Sequence, residues 1–199
     1  MHRAAETAPV TRYTRVVIAL HWLIGLALLG QIVFGFLLDD LAPRGTPARA
    51  GTINLHKSIG IVLALSIIVR LAWRLTHATP AWPDSMPCWQ RRAARLGHIS
   101  LYACMIVVPL SGYVASNFSK HGVRFFGSVW RPWGPDLPAA YAFLNSLHVA
   151  SSWLFCALIA GHVAVALKHG LIDRDGVFSS ILPCADRVPA REAHTLPQR

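Results

Sequence analysis

The chain has 199 residues, of which 54% are hydrophobic and only 14% are charged, and its formal net charge is +10. A soluble domain usually carries about 25% charged residues, so this composition argues against a soluble protein and favours a membrane protein. The positive charge alone would suggest nucleic-acid binding. Because the basic residues are distributed between apolar segments, we interpret them as topology signals and expect no nucleic-acid partner.

Four long apolar runs follow one another along the chain. They span residues 16–38, 53–75, 96–117 and 144–169. Each reaches the roughly 20 residues that a helix needs to cross the hydrocarbon layer, where only helices satisfy their own backbone groups. The sequence therefore predicts an all-α fold, a four-helix transmembrane bundle in one domain over residues 1–175. Residues 176–199 are expected to form a flexible tail.

The first run has some features of a cleaved signal sequence. Arg3, Arg12 and Arg15 precede it, and "ARA" follows at 48–50. However, the run is longer than the roughly 7–15 residues of a signal core, and it contains His21. We therefore expect it to be retained as the first helix.

The distribution of Lys and Arg predicts the orientation. If the N-terminus is cytoplasmic, 13 of the 19 basic residues lie on the cytoplasmic side. The outer side then holds the remaining six, which are Arg44, Arg49, Lys57, Lys120, Arg124 and Arg131. The positive-inside rule places both termini in the cytoplasm.

The longest connection joins the third and fourth runs on the outer side. Trp130 and Trp133 are typical of membrane surfaces. The connection also carries a basic patch, formed by Lys120, His121, Arg124 and Arg131.

Histidines interrupt the apolar runs at regular depths. His148 and His162 are 14 residues apart, so they lie within about 40° of the same helix face and roughly 21 Å apart along the axis. His21 starts the first helix at the depth of His162, and His56 starts the second at the depth of His148. The sequence predicts two histidine pairs, one near each membrane surface.

Paired imidazoles at one depth suit a metal. Zinc favours three or four protein ligands, commonly including Cys or carboxylate, whereas haem iron needs only two axial ligands. Small residues beside the histidines leave room for a flat macrocycle; they are Gly25, Gly30, Gly60, Ala157, Ala160, Gly161 and Ala164. Non-metal roles, in packing or in a proton path, remain open at this point.

Arg70 lies 14 residues after His56, on the same helix face but at the cytoplasmic depth. A haem propionate would give its guanidinium a bidentate partner. The alternative is a side chain that extends to the lipid headgroups.

Several segments resemble the bacterial cytochrome b561 family. They are "ALHW", "LHKSIG" with "VRLAWRL", "GHISLY", and "LHVASSWL" with "GHVAVALKHG", within residues 11–172. The resemblance implies a four-helix inner-membrane cytochrome with two haem b groups. It implies the ligand pairs His21/His162 and His56/His148.

Some members of that family oxidise superoxide and reduce ubiquinone, and others are membrane partners of dehydrogenases or periplasmic redox proteins. The resemblance implies that His169, seven residues after His162, lies near the quinone, and that His98 is the non-ligand histidine of helix three. The loop with Trp82, Asp84 and Trp89 departs from a Lys-rich version, which leaves the quinone site less well defined.

Three functions are consistent with the sequence. The first is a relay of single electrons between the outer face and the membrane quinone pool, with superoxide as a candidate donor. The second is an electron-transfer subunit for a separate redox protein. The third is a proton or metal transporter that uses the same histidines; it predicts a colourless protein.

Overall fold

In a computed structural model that describes residues 12–77, 79–83 and 86–183, four long helices form the protein. They are α1 (Arg15–Phe36), α3 (Ala48–Thr76), α4 (Cys88–Asn117) and α5 (Pro138–Lys168). One short helix, α2 (Leu38–Leu41), follows α1. Each long helix is long and apolar enough to cross a membrane. The predicted all-α transmembrane bundle is confirmed.

The helices begin earlier than the apolar runs that predicted them. Proline marks these starts: Pro47 and Pro87 are N-cap residues and Pro138 is the first residue of α5. Proline fits a helix start because the first N–H groups have no helical partner. The added turns are more polar than the runs, so hydropathy does not reveal them.

The buried core lies at mid-height in the bundle. Its members come from all four long helices and are Ile24, Ile32, Ile67, Cys104, Met105 and Phe155. Phe155 is seven residues from both His148 and His162. Cys104 is 6% exposed and packs in this core as a small apolar side chain. An apolar layer therefore separates the two depths at which the histidines lie.

The connection between α4 and α5 contains a β-hairpin that the sequence analysis missed. Strands β1 (Val123–Phe125) and β2 (Ser128–Trp130) are antiparallel, and Phe126 and Gly127 join them with φ of 44° and 96°. Two positive φ values are characteristic of a type I′ turn. We call this end of the bundle the hairpin end, and the opposite end, where α1 begins and α5 ends, the terminal end.

Three residues of α3 fix the hairpin to the bundle. Ser58, only 1% exposed, accepts from the Phe126 N–H at 3.1 Å, and its hydroxyl proton is shared between the Asn54 carbonyl at 2.8 Å and the Arg124 carbonyl at 3.0 Å. Lys57 donates to the Gly122 carbonyl at 2.9 Å, and Asn54 accepts from the backbone of β1. The hairpin is thus tied to the helical turn that carries His56.

At the terminal end, α5 continues into a π-helix, His169–Asp173, and a 3-10 helix follows at Ser179–Ile181. The Trp22 indole N–H donates to the Ile181 carbonyl at 2.9 Å, and the Arg12 guanidinium donates to the Leu182 carbonyl. These bonds fix the part of the predicted tail that reaches residue 183. The remainder of that tail, 184–199, and Asp84 of the loop before α4 lie outside the described residues.

Candidate functional site

Two histidines face each other at the hairpin end. The ring centroids of His56 on α3 and His148 on α5 are 6.2 Å apart, with 85° between their planes. A metal–imidazole bond is about 2.0–2.1 Å long and the ring centre lies about 1.1 Å beyond the nitrogen, so two imidazoles on opposite sides of one metal have centroids about 6.3 Å apart. The pair has the spacing of two axial ligands.

Two glycines allow these rings to approach the neighbouring helices. A Cβ at Gly35 would lie 2.9 Å from Cε1 of His56, and a Cβ at Gly112 would lie 2.9 Å from Nδ1 of His148. Real Cβ atoms do not approach other atoms this closely, so any side chain at either position would displace the imidazole. Glycine is therefore required on α1 and α4 for this arrangement.

The hydrogen bond made by His148 fixes its tautomer. Its Nδ1 lies 2.7 Å from the Val108 carbonyl oxygen, which can only accept, so Nδ1 carries the proton. The Nε2 atom then has a free lone pair, which is the form of histidine that binds a metal.

A cavity of about 1300 Å³ adjoins this pair. It exceeds the roughly 300–1,000 Å³ of common ligand pockets, which gives room for a large cofactor. Its lining includes both histidines of the pair and three basic side chains of the predicted patch, Lys120, His121 and Arg124. Lys120 also lies 3.8 Å from Asp136.

The second predicted pair meets at the terminal end. The ring centroids of His21 on α1 and His162 on α5 are 6.3 Å apart, again the spacing of two axial ligands. His98 on α4 is a third member of the group, with its ring 5.6 Å from that of His162. These three histidines do not line the hairpin-end cavity.

Arg70 lies directly beside this second pair. Its Nη2 donates to Nδ1 of His21 at 2.8 Å. Because a guanidinium has no acceptor, Nδ1 is unprotonated in this contact. If Nε2 of His21 held a metal, Nδ1 would carry the proton and Arg70 would be available to another acceptor, such as the predicted propionate.

His169 also lies at the terminal end, but apart from the His21/His162 pair, in the π-helix that follows α5. It is 8% exposed, and its Nδ1 lies 2.7 Å from Asp175 and 3.3 Å from Asp173. Within the described ranges, these three side chains form the only group of three or more His, Cys, Asp or Glu with metal-like spacing. The sequence analysis did not predict the two carboxylates.

The glycines named in the sequence analysis do not touch the rings. Gly25, Gly30 and Gly161 have nothing within 4 Å of an added Cβ, and Gly60 faces Gln31. That they leave room for a macrocycle stays a prediction. A simple signal would have found the glycines that the imidazole rings do approach. Gly35 follows His21, and Gly112 follows His98, at the same interval that separates His162 from His148. Each glycine is therefore on its histidine's helix face at the other depth.

Comparison with known proteins identifies the family. Residues 12–183 match the model of the prokaryotic cytochrome b561 family. The chain belongs to this family. It is 32% identical over 179 residues to cytochrome b561 homolog 2 of Escherichia coli K12, covering 86% of this chain and 91% of that protein. It is 26% identical over 174 residues to cytochrome b561 homolog 1 of the same organism, covering 87% and 98%.

As a member of the cytochrome b561 family, the protein is a multi-pass bacterial membrane protein that binds haem b and transfers electrons. The side chains at the hairpin end fit such a group. Two imidazoles have axial-ligand spacing, glycines admit both rings, and a large cavity adjoins them. At the terminal end the ring spacing and the adjacent cation also fit.

Proposed function

We propose that this cytochrome b561 relays single electrons between the periplasmic face and the membrane quinone pool through two haem b groups. His56 and His148 would hold one haem, and His21 and His162 would hold the other. The observation that carries the proposal is the matched spacing of 6.2 Å and 6.3 Å in two pairs at two depths. When bound, each haem supplies a reversible one-electron change at iron.

The distribution of Lys and Arg supports one orientation of the protein in the membrane. The excess of Lys and Arg favours a cytoplasmic terminal end with both termini, and a periplasmic hairpin end. The protein would thus lie in the bacterial inner membrane, with one haem near each face.

The chain contributes more than ligands to this relay. The apolar cluster that contains Ile67 and Phe155 would lie between the two haems, and both residues also line the hairpin-end cavity. The exposed apolar faces of the helices, such as Leu23 at 69% and Leu26 at 61%, are covered by lipid. Val108 orients His148, and Arg70 places a permanent positive charge beside His21.

The periplasmic substrate we favour is superoxide. Lys120, His121 and Arg124 line the cavity that holds His56 and His148, and Arg131 lies on the same connection. Cationic side chains at a cavity attract a small anion and raise its association rate.

Ubiquinone is the acceptor we propose at the cytoplasmic face. His169 is the first candidate contact, because it is held by Asp175 in a defined orientation at the end of α5. His98 is the second, because its ring lies beside that of His162.

Spectra of the purified protein test the haem assignment. We expect a reduced b-type spectrum and two haems per chain by pyridine haemochrome. His148→Ala and His162→Ala should each remove a different haem. His77→Ala is the matched control, because His77 lies at the end of α3 and stacks on Trp73 outside both pairs. A colourless protein would refute the proposal and would favour the proton or metal transporter instead.

A second candidate function is that of an electron-transfer subunit for a separate periplasmic redox protein. The hairpin favours it, because Phe126 and Val129 are 63% and 64% exposed on an ordered element next to basic residues. Superoxide consumption with added ubiquinone separates the two functions. A haem-loaded protein that consumes no superoxide would support the subunit role.

A further inference from the structure

Gln31 on α1 hydrogen-bonds to His56 on α3 through its side-chain amide. Its Nε2 donates to the His56 backbone carbonyl at 2.6 Å and lies 3.1 Å from Nδ1 of the same residue. Gly60, one turn after His56, lies beside the amide, where an added Cβ would be in ordinary contact with Nε2 at 3.5 Å. Gly35, one turn after Gln31, leaves space for the imidazole. The backbone of α1 is therefore close enough to the His56 ring to require glycine at residue 35.

The two histidines at the hairpin end differ in the hydrogen-bond partner of Nδ1. His148 donates to a backbone carbonyl, so its Nε2 is ready to bind a metal. For His56 to do the same, its Nδ1 must carry a proton and needs an acceptor. In the hydrogen bonds of the described residues, the partner of this Nδ1 is the Gln31 amide.

The amide has an unused acceptor. Oε1 of Gln31 is buried and has no hydrogen-bond partner among the described residues. A buried carbonyl oxygen without a partner is costly, and a flip of the amide exchanges its oxygen with its nitrogen. The flip would bring the orphaned oxygen to the Nδ1–H of a metal-bound His56. It would also end the bond from Nε2 to the His56 backbone carbonyl, so the amide must turn away from that carbonyl as it flips.

We propose that Gln31 is the positioning residue for His56. Its Oε1 accepts a hydrogen bond from the Nδ1–H when Nε2 acts as a ligand, and so fixes the ring orientation and the electron density that His56 donates. The inference rests on the proposed function, because it takes His56 to be a haem ligand. Gln31 itself acts only through the imidazole.

Two near-isosteric variants of the full-length, membrane-purified protein test this role. Gln31→Met removes the acceptor, and Gln31→Glu replaces it with a stronger one. We expect the midpoint potential of one haem to rise in Gln31→Met and to fall in Gln31→Glu, because a better acceptor makes imidazole a stronger donor to ferric iron. The low-spin EPR signal of that haem should shift as well, while the other haem stays unchanged.

Gln90→Met is the matched control, because Gln90 lies in the first turn of α4 at the terminal end; it should shift neither haem. The inference is overturned if Gln31→Met retains both haems with wild-type potentials and EPR signals, or if both haems shift equally. If Gln31→Met loses haem, the midpoint potential of Gln31→Glu tests the inference instead: a fall at one haem supports it, and no fall overturns it. A wild-type protein without haem would instead overturn the proposed function.

Discussion

A methyl group at residue 112 should weaken haem binding at the hairpin end. The Cβ of Gly112→Ala would lie 2.9 Å from Nδ1 and 3.0 Å from Cε1 of His148. Ordinary carbon contacts begin at about 3.5 Å, so the ring must move by roughly half an ångström. That movement also disturbs the 2.7 Å hydrogen bond to the Val108 carbonyl.

Overpacking costs about 1–3 kcal/mol, and loss of the hydrogen bond adds about 0.5–1.5 kcal/mol. Haem ligation requires the ring to return to this position, so a total of about 1.5–4.5 kcal/mol corresponds to a roughly 10- to 2000-fold loss of haem affinity. The measurement is haem content by pyridine haemochrome, followed by the rate of haem transfer to excess apomyoglobin. Gly112→Ala should approach one haem per chain.

Gly51→Ala is the control. Gly51 is an exposed helical glycine in α3, five residues before His56, and an added Cβ meets nothing within 4 Å. It should keep both haems and the wild-type transfer rate. Wild-type haem content and transfer rate in Gly112→Ala would show that the steric reasoning is wrong.

Three further predictions concern other contacts. Arg70→Gln should lower the midpoint potential of the terminal-end haem, because it removes a positive charge about 7 Å from the iron. In an effective dielectric of about 20 that charge is worth about 2 kcal/mol, or about 100 mV. Arg70→Lys keeps the charge and should keep most of the midpoint potential, and a redox titration compares the two variants. Ser58→Ala should cost about 1–3 kcal/mol and expose the hairpin to protease, whereas Ser66→Ala, whose hydroxyl bonds only within its own helix, should not; equal cleavage rates would contradict this. Gly170→Ala should release the segment after the π-helix, because its Cβ would lie 2.6 Å from the Phe178 ring, and hydrogen exchange at residues 174–182 should then increase.

The membrane segments and the histidine pairs could be predicted because each depends on a simple period. Hydropathy marks the part of a helix inside the hydrocarbon layer, and a near-whole number of helical turns places His148 and His162 on one face. The rings that the spacing paired do meet, at 6.2 Å and 6.3 Å. Their role as ligands remains a prediction.

The other features depend on contacts between helices, which no single segment encodes. Gly35 and Gly112 matter only because a ring from another helix approaches them. Gln31 is a single polar residue in an apolar run until His56 is beside it. The hairpin is short, and its turn residues Phe126 and Gly127 lack the Asn-Gly or Asp-Gly pattern that usually marks such turns.

The attachment of the hairpin to α3 has a mechanical consequence. Asn54, Lys57 and Ser58 hold the hairpin on both sides of His56 within one helical turn. A protein that docks on the hairpin and tilts it would transmit force to that turn, while the far end of the bundle would feel little. If His56 holds a haem as proposed, the absorption band of that haem would report docking in a titration with the partner.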